Sequence, residues 1–128
     1  MQVFGEGRSR WDHAGTLRLP SWLPFEDYSS LAVSGDRIAV VSQESSALWI
    51  GRLAPADWAV IGRGRIWRFP PDADGRRVYC NVEGVSWISQ DRIVVVSDRA
   101  KSGPQSGRCG AKDQSIHVFT VPESVSDD

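Results

Sequence analysis

Asp36–Ser42 reads DRIAVVS and Asp91–Ser97 reads DRIVVVS, the same seven residues but for Ala39 against Val94. The two runs stand 55 residues apart (91 minus 36). Repetition at a fixed period marks a chain built from stacked copies of one supersecondary unit. At the same offset Ser34 matches Ser89 and Val33 matches Ile88. Upstream, Leu17–Pro20 (LRLP) resembles Trp67–Pro70 (WRFP) at an offset of 50, so the second copy gains five residues, placed here in a loop at 71–77. Downstream, ALWIGRL at Ala47–Leu53 and SIHVFTV at Ser115–Val121 both alternate apolar and polar residues, as half-buried strands do.

Each unit therefore reads as four short strands. The first has Ser30 to Ser34, Arg37 to Ser42, Ala47 to Leu53, and Trp58 to Phe69 with an interruption or bulge at Gly62 to Gly64. The second has Val85 to Ser89, Arg92 to Ser97 and Ser115 to Val121, without a fourth strand. The opening stretch up to Leu19 is expected to supply a strand resembling the fourth. Antiparallel units of about 40 to 55 residues have the size of one propeller blade. The expected fold is all-β, a β-propeller fragment of about two four-stranded antiparallel blades within a single domain, 1–128. Unit one spans about 17–66, unit two about 67–122, and 123–128 form a disordered tail. A β-sandwich is the competing architecture, but its strands have no reason to repeat DRIxVVS. Two blades do not close a propeller, so either the chain is a piece of a longer one or copies assemble as a homo-oligomer around a common axis.

Composition excludes some partners. Fifteen Lys and Arg against sixteen Asp and Glu give a net charge of -1, which offers no field for nucleic acid or an anionic membrane. The longest apolar runs, such as Ile93–Val96, fall far below the roughly 20 residues of a membrane-spanning helix. The opening MQVFGEGRSR lacks the apolar core of a signal peptide, which implies a cytoplasmic protein, or a secreted one if the N-terminus is incomplete. Cys80 and Cys109 are the only cysteines and form no CxxC pair. In a reducing cytosol they are free thiols; in an oxidising compartment a disulfide would pin the loop at 99–113.

Within a hairpin, the start of the first strand and the end of the second share one rim. In unit two those positions hold Asn81-Val82-Glu83-Gly84 and Ser97-Asp98-Arg99. Glu83 and Asp98, with the amide oxygen of Asn81, offer oxygen ligands for a hard cation such as calcium, or an acid–base pair. The alternative is a solvated rim in which the carboxylates cap strand ends and pair with arginine. The loop 99–113 (RAKSGPQSGRCGAKD) adds Arg99, Lys101 and Arg108 as contacts for a small anionic ligand such as a phosphate ester. His13 and His117 lie at no ligand spacing, and no residue is assigned a catalytic role. Of six tryptophans, Trp49, Trp67 and Trp87 read as packing between blades, while Trp11 and Trp22 are freer to stack on a ligand.

Tyr79–Ala100 (YCNVEGVSWISQDRIVVVSDRA) with Lys112–Pro122 (KDQSIHVFTVP) resembles a group of bacterial β-propellers related in pattern to phytase-like and esterase-like propellers. The recurring phrase is a Glu-Gly opening the inner strand and an aspartate after the second strand, here Glu83, Gly84 and Asp98. The resemblance implies calcium at the channel mouth, held by Glu83 and Asp98, and, by analogy with phytases, phosphate esters as ligands. The chain is shorter than a phytase and lacks its dense acidic clusters. Three readings stay open: a ligand- or metal-binding module, a calcium-dependent phosphoesterase, and a lectin-like or structural scaffold.

Overall fold

Both DRI runs are second strands of antiparallel sheets. The structure, a computed structural model, describes residues 10–54, 56, 59–99 and 107–122. The first sheet is β1 (Ser30–Ser34), β2 (Arg37–Ser42), β3 (Ala47–Ala54) and β4 (Ala59–Arg68), in the order β1-β2-β3-β4. The second is β5 (Val82–Trp87), β6 (Arg92–Ser97) and β7 (Ser115–Thr120), in the order β5-β6-β7. A single helical turn, α1 (Gly107–Gly110), precedes β7. Among the described residues the fold is thus all-β with two sheets, of four and three strands, and neither closes on itself. No helix of the described residues is long and apolar enough to cross a membrane. The expected tail at 123–128 lies outside the described residues, as does Trp58.

The strand period of two decides which residues meet. Ala39, Val41, Leu48 and Ile50 form one face of the first sheet and pack on Val85, Trp87, Ile93, Val95 and Phe119 of the second. Ala39, Val41, Ile93 and Val95 are at most 1% exposed. Burying each such Val or Ile stabilises the fold by about 1.5–3 kcal/mol. Phe69, Tyr79 and Phe119 close this core with ring centroids 5.3–5.9 Å apart. Two offset-55 contacts bind β1 to β5: Ser30 Oγ accepts from Val85 N (3.3 Å), and Trp87 Nε1 donates to Ala32 O (3.2 Å).

The opposite face of the first sheet carries Ile38, Val40 and Trp49. Leu19, Trp22, Leu23 and Phe25 cover it. Of the strand expected up to Leu19, residues 1–9 lie outside the described residues, and residues 10–29 hold no strand but cross the sheet as an irregular strap. Pro20 and Pro24 cannot donate to a ladder, and the 19/22/23/25 spacing of the apolar residues is not alternating. Trp22 is accordingly not free for a ligand, since it packs edge-on against Trp49 at 6.4 Å, whereas Trp11 is 82% exposed.

The interruption expected at Gly62–Gly64 is present as a register jump. Ile50 pairs with Arg65 but Arg52 with Ile61, so Gly62, Arg63 and Gly64 together oppose Gly51. Gly62 and Gly64 have φ of +69° and +68°, a region glycine enters without steric cost. The bulge turns the Arg63 carbonyl inward, where it accepts the Trp49 indole N–H at 2.9 Å.

One element begins earlier than the alternation suggests. β5 starts at Val82, not Val85, and ends at Trp87. Leu31 pairs with Val40 in the first hairpin, whereas Val85 pairs with Val95 in the second, so the structural offset of the first strands is 54 (85 minus 31) against 55 for the second. The second hairpin therefore carries one extra residue in its turn.

Candidate functional site

The rim identified from sequence is formed by these strand ends. Val82 pairs with Ser97, and Asp98 N donates to Asn81 O at 2.9 Å, carrying the ladder one step further. Gly84 opposes Val96, which leaves Glu83 as the extra residue of a β-bulge. Bulges re-aim a side chain, and they concentrate beside functional sites. Gly84 is needed there because a Cβ would stand 2.6 Å from Val96 Cγ1. Asn81, Glu83 and Asp98 thus share one end of the second sheet. Asn81 is buried, while Glu83 and Asp98 are half-buried.

Two residues that sequence reading left out complete the rim. Asn81 Nδ2 donates to Asp113 Oδ1 at 2.8 Å, and Asn81 Oδ1 accepts from Gln43 Nε2 at 3.3 Å. Gln43 follows β2, so the first sheet contributes to the same rim. Asp113 was legible only as the end of a long loop, and nothing in its neighbours signals the contact. Asp98 Oδ1 accepts from Arg99 N at 2.8 Å, which fixes the carboxylate against its own backbone.

The repeat makes a comparison possible at the matched serines. Ser42 Oγ donates to Asp27 Oδ1 at 2.6 Å, and that carboxylate also accepts from Glu44 N at 3.1 Å. Ser97, its counterpart, is 1% exposed, and its hydroxyl has no hydrogen-bond partner. An unmet buried hydroxyl costs about 1–3 kcal/mol, so unit two carries a polar group at the rim that unit one satisfies internally.

The cysteines are not the free thiols that a reducing cytosol implies: Cys80 and Cys109 form a disulfide with Cα atoms 5.5 Å apart. The bond ties α1, at the end of the long loop, to the segment that leads into β5. Arg108 and Asn81 are each one residue from a bridged cysteine. Arg99 and Arg108 are exposed; Lys101 lies outside the described residues. His117 sits half-buried on β7 with Ser115 Oγ at 2.7 Å from its Nε2 and the Tyr79 ring 5.0 Å away.

Among the described residues no three His, Cys, Asp or Glu side chains converge as ligands of a metal ion would. Glu83, Asp98 and the Asn81 amide oxygen of the calcium expectation, even with the Asp113 carboxylate added, fall short of the six to eight oxygens that the ion takes. Backbone carbonyls or water would have to complete the shell, and the amide oxygen already accepts from Gln43. No protein-family model, no curated protein and no solved structure matches the chain.

Proposed function

We propose that the chain is a ligand-binding module of propeller-type blades with its site at the rim of Asn81, Glu83 and Asp98. The bulge that sets Glu83 out of the ladder beside Asp98 carries this reading. The oxygen donors suit a hard cation, with Arg99 and Arg108 as contacts for an anion bound to it. The disulfide favours an oxidising compartment over the cytoplasm. Calcium at a hundredfold excess over its Kd should stabilise the fold by about 2.7 kcal/mol, read as a rise in melting temperature. Glu83→Gln and Asp98→Asn should each remove most of that rise. An unchanged melt in the parent protein would take calcium out of the reading. The phosphoesterase alternative uses the same residues and requires turnover of p-nitrophenyl phosphate that Glu83→Gln abolishes.

The way the two sheets meet supports the blade reading. In the repeat, Ile93 and Val95 match Ile38 and Val40, yet the face they form packs on Ala39 and Val41. Unlike faces are in contact, so the operation relating the sheets is head-to-tail and does not close after two. A sandwich built by twofold duplication would bring like faces together. One half of this interface recurs uncovered on the outer face of the second sheet, whereas the strap covers Ile38 and Val40 and leaves the other half open only along β1. Val96, Ile116 and Val118, on the face equivalent to Ala39 and Val41, are 44%, 69% and 56% exposed. Leu31 and Val33, equivalent by register to the packed Val85 and Trp87, are 58% and 54% exposed. A second copy of the chain, added head-to-tail, would set the exposed Leu31 and Val33 of its β1 against the uncovered face of the second sheet. Light scattering should therefore give a particle heavier than one chain, and Ile116→Lys or Leu31→Lys should each reduce its mass. A particle sensitive to Ile116→Lys alone would indicate like faces in contact and contradict the head-to-tail arrangement.

A further inference from the structure

The gap between the two sheets widens at the end opposite the rim into a half-open cleft of about 780 Å³. That volume lies within the range of small-molecule sites, about 300–1,000 Å³. It forms because β4 extends the first sheet by a strand that the second sheet lacks among the described residues. Three guanidinium groups, from Arg37, Arg52 and Arg65, line it. Arg52 is offset by Asp36, 3.6 Å away. Arg37 and Arg65 have no carboxylate within ion-pair distance among the described residues. Their positions are instead set by uncharged partners: Arg37 lies 4.2 Å above the Trp87 ring and donates to Gln90 O, and Arg65 lies 5.6 Å from the Trp67 ring. Asp91 is the one carboxylate among the lining residues, and it accepts from Ser89 Oγ at 3.0 Å. Ile50, Trp67 and Val121 supply apolar wall between these charges.

Two unneutralised guanidinium groups held over an apolar wall are the chemistry that recognises an oxyanion on a flat apolar body. Guanidinium donates in pairs to carboxylate or phosphate oxygens, and the indole offers a stacking surface. We infer that this cleft binds a small organic oxyanion, an aryl carboxylate or aryl phosphate monoester, independently of the rim. The site differs from the rim in both place and composition, since it lies at the turn ends of the β1–β2 and β5–β6 hairpins and uses arginine rather than carboxylates.

Amide NMR of the intact disulfide-bonded chain, titrated with benzoate, phenyl phosphate and neutral benzamide, tests this. A fragment of this size in a preformed site binds at about millimolar Kd. Benzoate and phenyl phosphate should shift Gly51, Arg52 and Thr120 amides and leave those of Asn81 and Asp98 in place. The stronger of the two identifies whether carboxylate or phosphate is the natural head group. Arg65→Gln should weaken both about tenfold, the loss of one charge-assisted pair. Arg68→Gln, on the opposite face of the same strand, should leave them unchanged and serves as the folding control. Benzamide binding as tightly as benzoate, shifts confined to the rim, or no shifts at about 20 mM ligand would each overturn the assignment.

Discussion

Trp49→Ala is expected to lower the stability of the fold by about 4 kcal/mol, within the 3–5 kcal/mol range of buried tryptophan truncations. Trp49 is fully buried between β3 and the strap, with Trp22 packed on its edge and its N–H committed to the Arg63 carbonyl. Removing the ring opens a cavity, leaves that carbonyl without its donor, and uncouples the strap from Ile38 and Val40. The cost to a domain of total stability about 5–15 kcal/mol is large. A partner variant makes the mechanism specific. A Cβ on Gly51 would stand 2.3 Å from the indole Cη2, so Gly51→Ala should cost about 1–3 kcal/mol in the parent protein. In the Trp49→Ala background the obstructing ring is gone, and Gly51→Ala should be nearly neutral. Urea denaturation of the two single variants and the double variant gives the coupling directly. Additive losses would mean that Gly51 is required for its backbone and not for the ring lying over it.

The strands were legible because alternation and turn residues agreed. In DRIAVVS and DRIVVVS every second residue faces the same layer, and β2 and β6 have the boundaries that the pattern implies. The strap failed on the same test applied too locally: LRLP alternates for three residues, but Pro20 and Pro24 on either side of Leu23 forbid a ladder. Alternation places β5 at Val85 to Ser89, but the bulge at Glu83 breaks period two, so the ladder starts at Val82 and ends at Trp87. Glu83 and Asp98 could be placed at one rim from hairpin logic alone. Asp113 and Gln43 could not, since their contacts with Asn81 depend on the path of the loop and on how one sheet sits on the other. The arginine cleft was hidden for the same reason. Arg37, Arg52 and Arg65 are spaced 15 and 13 residues apart, on three strands, and only the register of β2, β3 and β4 brings them together.

Reducing the Cys80–Cys109 bond is expected to destabilise the protein by about 3 kcal/mol and lower its melting temperature by about 10 °C. The bond closes a loop of sequence separation 29 that contains β5, β6 and the excursion leading to α1. Its main effect is on the unfolded chain, whose freedom the crosslink restricts, so the loss should appear in Cys80→Ser/Cys109→Ser as well as with a reductant. The loss should not be uniform across the native state. The second sheet keeps its ladder through β6, whereas α1 and Asp113 lose their covalent tie to residue 80. The Asn81–Asp113 hydrogen bond then has to hold the rim by itself, and one such bond contributes about 1–3 kcal/mol. Hydrogen exchange at the amides of 107–113 should therefore rise more than at Val94 and Val95, and any calcium response should weaken in the same samples. Equal exchange in both regions, with an unchanged melt, would show that the rim is ordered by β5 and β6 alone and that the crosslink adds nothing to the site.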